Sequence, residues 1–323
     1  MKTRLTELLE IEHPVMLAGM GGVSYSALVG AVSEAGGIGT LGAGTMQEDE
    51  MVAEMAAVRE ITSKPFGVDL LTAMPIDMTP WIEKIIAGGA SLFVAGLGVP
   101  IEVIDLCHKH GVLVMNMCGK VEHARRAVGA GCDIVVAQGT EAGGHTGQVA
   151  TMPLVPQIVD AVGDQVPVVA AGGIYDGRGL AAALALGADG VWIGTKFIAT
   201  PEARAVKGYK EKLLATGEDG TVITRAYTGK TLRAIRNDYT TYWEENPGEL
   251  KRFPEQAVRS MQDGAFHLGW DENAEGIDPE KECYPAGQGA GGISELTPAA
   301  QIVTEMVAEA ERALAKASEA TST

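Results

Sequence analysis

Short apolar runs recur through the first two thirds of the chain, and each is followed by a segment whose apolar residues have helical spacing. The runs have the length and the glycine-rich ends of buried strands. Predicted strands occupy residues 13–22, 37–42, 65–71, 91–98, 111–118, 132–136, 166–173 and 190–195. Predicted helices occupy residues 24–35, 47–61, 79–87, 121–130, 154–162 and 178–186, and one more begins at Pro100.

This alternation of strand and helix predicts a parallel sheet, because consecutive parallel strands need a crossover between them. Eight strand–helix units predict an α/β fold closed into a (β/α)8 TIM barrel. The alternative is a doubly wound sheet, which would have fewer strands and a phosphate-binding fingerprint after its first strand. Residues 37–42 and 287–292 match the letters of that G-x-G-x-x-G fingerprint. Neither stands between a strand and a helix, so neither predicts a dinucleotide-binding fold.

The pattern breaks beyond about residue 200. Residues 215–295 are richer in Thr, Glu, Asp, Trp and Gly, and we interpret them as a small, mostly helical insertion that caps the barrel mouth. Thr297-Pro298 then begins a last helix, expected to end near residue 315. The predicted division is a barrel of residues 1–214 and 296–323 and a substrate or cap region of residues 215–295.

The composition excludes several classes of partner. A net charge of −17 and a pI near 4.8 disfavour nucleic acids and anionic membranes. The four cysteines form no CxxC pair, which is typical of buried thiols in a reducing cytoplasm. We expect no signal peptide, because the first residues are not followed by a long apolar segment, and no apolar run is long enough to span a bilayer. We expect a cytoplasmic protein that acts on a small molecule.

The segment after the sixth predicted strand is the first candidate for chemistry. It runs from Ala137 to Gly147 and places four glycines around His145. Glycine lets the backbone approach a ligand closely, and histidine exchanges protons near neutral pH. The alternative is a tight turn with an incidental surface histidine.

Glycines at the ends of the other predicted strands are the second candidate. In a barrel the carboxyl ends of the strands form the working face. Gly172-Gly173 and Gly194-Thr195 end the last two strands, where barrel enzymes commonly hold a phosphate on backbone N–H groups. Barrel packing is the alternative reason for the glycine pair. Asp176 is expected to be a helix cap rather than a ligand.

Two other kinds of site are not predicted. His13, His108, His110, His123 and His267 show no metal-ligand spacing with a third ligand nearby, so we expect no catalytic metal. No G-x-S-x-G elbow is present, which argues against a hydrolase triad.

Taken together, residues 138–147, 171–174, 176–179 and 194–197 resemble the nitronate monooxygenase (2-nitropropane dioxygenase) family. Residues 14–22 resemble its first strand, and residues 286–290 resemble its C-terminal motif. That family also includes an FMN-dependent enoyl-ACP reductase and an NADH:quinone reductase. The resemblance covers nearly the whole chain.

The resemblance implies an FMN-binding barrel without metal. His145 matches the family histidine beside the flavin, which would abstract the α-proton of a nitroalkane or orient a nitronate. The flavin ring would lie against Ala18, Gly19 and Met20, and the phosphate at the glycines that end the last two strands. The implied cofactor-binding set is Ala18, Gly19, Met20, Gly21, Asp69, Gln138, Gly139, Gly144, Gly172, Gly173, Gly194 and Thr195.

Two features distinguish this chain within the resemblance. Asp69 stands where relatives commonly carry Asn, and a carboxylate there would oppose negative charge on a reduced flavin unless it is protonated or paired. The cap segment also carries Lys230, Arg233 and Arg236, which could attract a negatively charged substrate such as an acyl-CoA or acyl carrier. A solvated helix start is the alternative for those cations.

Three functions follow as hypotheses. The first is an FMN-dependent oxidoreductase of the nitronate monooxygenase type that oxidises nitronates or nitroalkanes with O2. The second is an NAD(P)H-dependent flavin reductase of an enoyl thioester or a quinone. The third is a non-catalytic flavin-binding barrel. The natural substrate and the assembly state, with a homodimer among the options, are left open by the sequence.

Overall fold

The structure, a computed structural model, describes residues 1–70, 77–96, 101–267 and 273–321. Its strands are β1 Val15–Leu17, β2 Gly39–Gly42, β3 Phe66–Leu70, β4 Leu92–Ala95, β5 Leu113–Cys118, β6 Ile134–Gln138, β7 Gly144–His145, β8 Val168–Ala171, β9 Gly190–Ile193, β10 Thr221–Thr224 and β11 Leu232–Ile235. Its helices are α1 Arg4–Leu9, α2 Ser26–Glu34, α3 Glu48–Ile61, α4 Thr79–Ala87, α5 Ile101–Lys109, α6 Val121–Ala130, α7 Thr151–Val162, α8 Gly177–Ala185, α9 Thr195–Ile198, α10 Lys207–Leu214, α11 Asp238–Glu245, α12 Glu255–Gln262 and α13 Ala299–Thr321.

Eight parallel strands form one sheet in the order β1-β9-β8-β6-β5-β4-β3-β2. The two ends of this sheet meet at a parallel bridge between Met16 and Ile38. There the N–H of Leu17 donates to the carbonyl of Ile38 at 2.9 Å, and the N–H of Ile38 donates to Val15 at 3.1 Å. The sheet therefore closes on itself, and the predicted (β/α)8 barrel is confirmed.

Two apolar layers hold the barrel together. One fills its interior with alternate strand residues such as Val94, Met115 and Val136, and Leu5 and Leu9 of α1 join that layer. The other layer packs the outward residues of the strands against the surrounding helices. Strands buried on both faces explain why the sequence shows continuous apolar runs rather than alternation.

Helix bounds agree closely with the pattern in most of the barrel. Helices α4 and α6 begin and end at the predicted residues. Helix α7 begins three residues earlier than predicted, and α13 continues through Thr321 rather than ending near residue 315. The predicted helix start at Pro100 and the predicted strand ends at Leu71 and Leu97-Gly98 lie outside the described residues.

The insertion has a small core of its own, which includes Tyr227, Tyr239 and Trp243. Helices α11 and α12 agree with the mostly helical prediction, but the antiparallel hairpin of β10 and β11 did not appear in the pattern. Strand β7, from the loop after β6, pairs with β11 as a third strand. The insertion is thus hydrogen-bonded to a loop at the barrel mouth. Its separate role over residues 215–295 stays a prediction.

Among the described residues, no helix combines the length and the apolar character required to cross a membrane.

Candidate active site

The predicted cofactor residues lie at one edge of the barrel, because the carboxyl ends of parallel strands meet there. Asp69 is paired with Val94, and Gln138 with Ala171. Since Val94 and Ala171 belong to the barrel interior, Asp69 and Gln138 also face inward. The remaining residues of the set follow four strands or begin the next element. Ala18, Gly19, Met20 and Gly21 follow β1, Gly139 follows β6, Gly172 and Gly173 follow β8, Gly194 follows β9, Gly144 lies in β7, and Thr195 is the first residue of α9.

The loop that carries His145 is fixed from both sides. Strand β7 aligns His145 with Leu232 and Gly144 with Arg233 of β11. The Gln138 side-chain amide donates to the carbonyl of His145 at 2.7 Å, and the Thr146 hydroxyl donates to the carbonyl of Gly139 at 3.0 Å. The backbone of His145 is therefore tied to the barrel through β6 and to the insertion through β11.

His145 is exposed as a residue, and one nitrogen of its ring is anchored. Its Nε2 lies 3.1 Å from the hydroxyl of Thr228. The surrounding protein reduces the hydration of the ring and lowers the pKa of His145, and the positive charge of Lys230 lowers this pKa further. Because the ordinary pKa is about 6.5, the imidazole is neutral at pH 7 and can accept a proton.

A late glycine segment closes the other side of this loop. A Cβ on Gly143 would lie 2.8 Å from the backbone of Ala286 and Gly287, and a Cβ on Gly287 would lie 2.6 Å from the carbonyl of Glu141. The N–H of Gly287 donates to the Thr195 hydroxyl at 2.9 Å. Gly287, one of the glycines that match the letters of a dinucleotide fingerprint, is therefore needed for close backbone packing at the mouth.

The ends of β8 and β9 offer donors suited to a phosphate. Gly172 and Gly173 have φ values of +106° and +74°, which L-residues rarely adopt. The N–H groups of Gly173 and Gly194 have no acceptor within the described part of the chain. The hydroxyl of Thr195, which accepts from Gly287, keeps its own proton for donation. These groups fit the phosphate of FMN. Asp176 caps α8, as predicted, by accepting from the N–H of Gly179 at 3.0 Å.

Gly19 and Asp69 form a wall of the mouth in close contact. A Cβ on Gly19 would lie 2.2 Å from the Cβ of Asp69, so only glycine allows this approach. The carboxyl of Asp69 has no hydrogen-bond partner among the described residues, and burial raises its pKa well above the ordinary value. In its protonated form this carboxyl would be neutral and able to donate a hydrogen bond, as the Asn amide expected from the resemblance would be, and it would not oppose negative charge on a reduced flavin.

Asp69→Asn should therefore reduce the loss of stability that the cofactor-free protein shows as pH rises above about 4. A carboxyl whose native pKa exceeds its unfolded value, near 3.9, binds its proton more tightly when folded, so the free energy of unfolding falls as pH rises from about 4 to the native pKa. The variant lacks this ionisation, so its stability advantage over the wild type should grow across that range. Urea unfolding from pH 4 to 8 measures the free energy of unfolding of both proteins. Asp105→Asn, at an exposed position of α5, is the control. Parallel pH curves for wild type and Asp69→Asn would contradict the argument.

The structure separates the three cap cations. Arg233 is buried and donates to the carbonyl of Thr140 at 3.0 Å and to the hydroxyl of Thr221 at 3.1 Å, so it joins the cap to the barrel. Arg236 pairs with Glu244 at 2.7 Å. The ammonium of Lys230 instead lies 4.2 Å from the centre of the Phe253 ring. Among the described residues it has no carboxylate partner.

The remaining candidate groups have structural explanations. His108 pairs with Asp133, and His267 pairs with Glu282. All four cysteines are buried free thiols, and burial raises the pKa values of Cys107, Cys118 and Cys132 to about 12. Within the described ranges no three His, Cys, Asp or Glu side chains are grouped to hold a metal ion. The expectation of a metal-free site stays a prediction.

Comparison with known proteins identifies the relatives. The family profile "Nitronate monooxygenase" matches residues 2–88 and 77–309. A (3aS,4S,5R,7aS)-5-hydroxy-7a-methyl-1-oxo-octahydro-1H-indene-4-carboxyl-CoA dehydrogenase of Mycobacterium tuberculosis is 39% identical over 274 residues, covering 81% of this chain and 77% of the relative.

Two solved structures are similar over nearly their whole length. FabK from Thermotoga maritima superposes with a TM-score of 0.88 at 34% identity, covering 99% of both chains. The nitroalkane oxidase from Streptomyces ansochromogenes superposes with a TM-score of 0.81 at 30% identity, covering 97% of this chain and 99% of that one.

The barrel, the glycine-lined mouth and the relatives define the class as a (β/α)8-barrel oxidoreductase. Within that class, the chain belongs to the nitronate monooxygenase family, because the family profile matches more than half of the sequence.

Proposed function

We propose that this protein is an FMN-dependent oxidoreductase of the nitronate monooxygenase type, which oxidises nitronates or nitroalkanes with O2. The observation that carries the proposal is the environment of His145. A neutral imidazole stands beside glycine-rich strand ends, with its backbone bound by Gln138 and its ring by Thr228. Family membership supplies the expectation of FMN.

Each part of the mouth has a role in this proposal. Gly173, Gly194 and Thr195 would hold the phosphate of FMN, and Gly19 and Asp69 would border the flavin ring, next to Ala18 and Met20. When bound, FMN would supply the redox chemistry that links oxidation of the substrate to O2. The protein supplies orientation, exclusion of water and a proton acceptor. We include residues 215–295 in the proposal as the cap that meets the substrate.

The proton step depends on His145 and Lys230. A neutral nitroalkane loses its α-proton to the imidazole, which becomes imidazolium, and the electron pair of the C–H bond moves into the nitro group to form a nitronate anion. Lys230 is close enough to lower the pKa of His145 electrostatically and has no carboxylate partner among the described residues. Its ammonium would stabilise the anion, since charge interactions strengthen in a partly desolvated mouth.

An anaerobic reduction experiment tests the proposal. Purified protein loaded with FMN is mixed with a preformed nitronate or with NAD(P)H, and flavin absorbance is followed without O2. Bleaching by the nitronate, and not by NAD(P)H, supports the proposal. Absence of bleaching by any nitronate would refute it, and bleaching by neither reagent would favour the non-catalytic flavin-binding barrel.

A second candidate is a flavin oxidoreductase of an acyl thioester. The observation that favours it is the 39% identity to the carboxyl-CoA dehydrogenase. The same base and cation would serve, because removal of an α-proton beside a thioester also leaves an anion. Rapid bleaching by NAD(P)H, followed by reoxidation with an enoyl thioester, would favour this function over the first, and reoxidation with a quinone instead would indicate the quinone reductase activity.

Lys230→Met should weaken the binding of anionic substrates. The substitution keeps a long apolar side chain but removes the charge next to His145, so the KM for a preformed nitronate should rise about tenfold, equivalent to about 1.4 kcal/mol. Because Lys230 lowers the pKa of His145, its removal should raise this pKa. The acid limb of the kcat/KM profile for neutral nitroalkanes should therefore move to higher pH. Steady-state kinetics from pH 5 to 9 measure both effects. Lys281→Met, on an exposed part of the cap, is the matched control, and equal KM values for the two variants would exclude Lys230 from binding.

A further inference from the structure

The hydroxyl of Thr228 lies at the centre of three polar groups. Its oxygen is 3.1 Å from His145 Nε2, 3.2 Å from the backbone nitrogen of Lys230 and 3.3 Å from the backbone oxygen of Lys230. Thr228 is buried, with 5% of its surface exposed. Water is therefore a poor substitute for any of these partners.

The donors and acceptors around this oxygen select one arrangement. A hydroxyl has one proton to donate and two lone pairs to accept with. The N–H of Lys230 occupies one lone pair, and the carbonyl of Lys230 can only accept. If His145 donates from Nε2–H, the second lone pair is used and the hydroxyl proton goes to that carbonyl. If Thr228 instead donated to Nε2, the second lone pair would be empty and the carbonyl would lose this donor.

We propose that Thr228 is a positioning residue that holds His145 in the Nε2–H tautomer, which leaves the lone pair on Nδ1. Nδ1 has no hydrogen-bond partner in the described part of the chain, and His145 is exposed as a residue. The nitrogen that removes the substrate proton is therefore Nδ1. The assignment of a base rests on the function proposed above, whereas the tautomer itself does not.

The turn that carries Thr228 is built rigidly enough for this role. Gly229 has a φ of +78°, and a Cβ there would lie 2.6 Å from the backbone nitrogen of Phe253. The N–H of Gly229 donates to the carbonyl of Arg225 at 2.9 Å, and the Arg225 side chain donates back to the carbonyl of Gly229 at 3.0 Å. Pairing of β7 with β11 fixes the backbone of His145 relative to the same hairpin. The insertion thus orients the ring of a barrel residue.

The test is histidine nitrogen NMR on protein labelled with 15N-histidine, in the neutral pH range. His145 is assigned by the loss of its signals in His145→Gln. The expected spectrum shows a protonated, pyrrole-type Nε2 and an unprotonated, pyridine-type Nδ1. The opposite assignment in the wild type would overturn the proposal by itself, without any variant and whether or not the protein oxidises nitronates.

Two variants test the cause of the tautomer. Thr228→Ser keeps the hydroxyl and should preserve the wild-type pattern. Thr228→Val keeps the shape but removes the hydroxyl, and should give averaged shifts of two exchanging tautomers, with kcat for neutral nitroalkanes reduced about tenfold and the KM little changed. An unchanged tautomer in folded Thr228→Val would overturn the role of Thr228. If Thr228→Val does not fold, the wild-type and Thr228→Ser spectra test the role of Thr228. Loss of the Nε2–H pattern in Thr228→Ser would contradict the proposal.

Discussion

His145→Ala is expected to lower the turnover of neutral nitroalkanes by about 10²–10⁴-fold, the usual contribution of a general base, and to leave FMN bound. The reason is that the proposed cofactor-binding groups and the proposed base lie on different segments of the mouth. The proposed phosphate-binding groups lie after β8 and β9, whereas the imidazole lies on β7 and contacts the hairpin turn. Steady-state assays with a nitroalkane and with its preformed nitronate measure the effect. The nitronate needs no deprotonation, so its oxidation should fall much less.

His110→Ala is the matched control, since His110 is exposed in the connection from α5 to β5, at the amino ends of the barrel strands and opposite the mouth. It should match the wild type with both substrates. The pH dependence of the wild-type rate provides a second check on the role of His145. Because the pKa of His145 is lowered, the acid limb of kcat/KM for nitroalkanes should lie below pH 6.5. Equal losses with nitroalkane and nitronate in His145→Ala would show that the histidine orients the substrate rather than removing its proton.

Gly172→Ala is expected to raise the Kd for FMN by at least about tenfold and to lower stability. Gly172 has a φ of +106°, and a left-handed conformation costs an alanine roughly 1–2 kcal/mol. Its Cβ would also lie 2.8 Å from Thr151 Oγ1 and 3.1 Å from the carbonyl of Gly139. The backbone must shift to relieve these contacts, which displaces the neighbouring N–H of Gly173 from the proposed phosphate site. Fluorescence titration of cofactor-free protein with FMN measures the loss.

Gly111→Ala separates backbone strain from damage to the mouth. Gly111 has a φ of +72°, and a Cβ there would meet no atom within 4 Å. This variant should lose roughly 1–2 kcal/mol of stability, with an unchanged Kd for FMN. If Gly172→Ala and Gly111→Ala lose stability alike and both bind FMN normally, the phosphate does not lie at the end of β8.

The site was predictable only in part. Glycine-rich strand ends and a histidine among glycines are local signals, so His145 and the glycines after β8 and β9 could be identified as candidates from their sequence neighbours. Gln138 was a candidate only through the family resemblance. Thr228 gave no such signal, because a threonine in a turn is common and its contact with His145 spans 83 residues. The three cap cations looked alike in sequence. Only their partners distinguish Arg233, which is buried, from Lys230, which is not paired with a carboxylate among the described residues.

The sequence alone determined the barrel. Its strands and helices follow from apolar periodicity within a few neighbouring residues, and the closed parallel sheet follows from their eightfold alternation. The tertiary structure decided the rest of the mouth. A two-residue strand at Gly144–His145 has no periodicity to detect, and it exists only because β11, nearly ninety residues later, supplies its hydrogen-bond partners. Likewise, the raised pKa of Asp69 and the anchoring of His145 are properties of surroundings assembled from distant segments, and no local pattern encodes them.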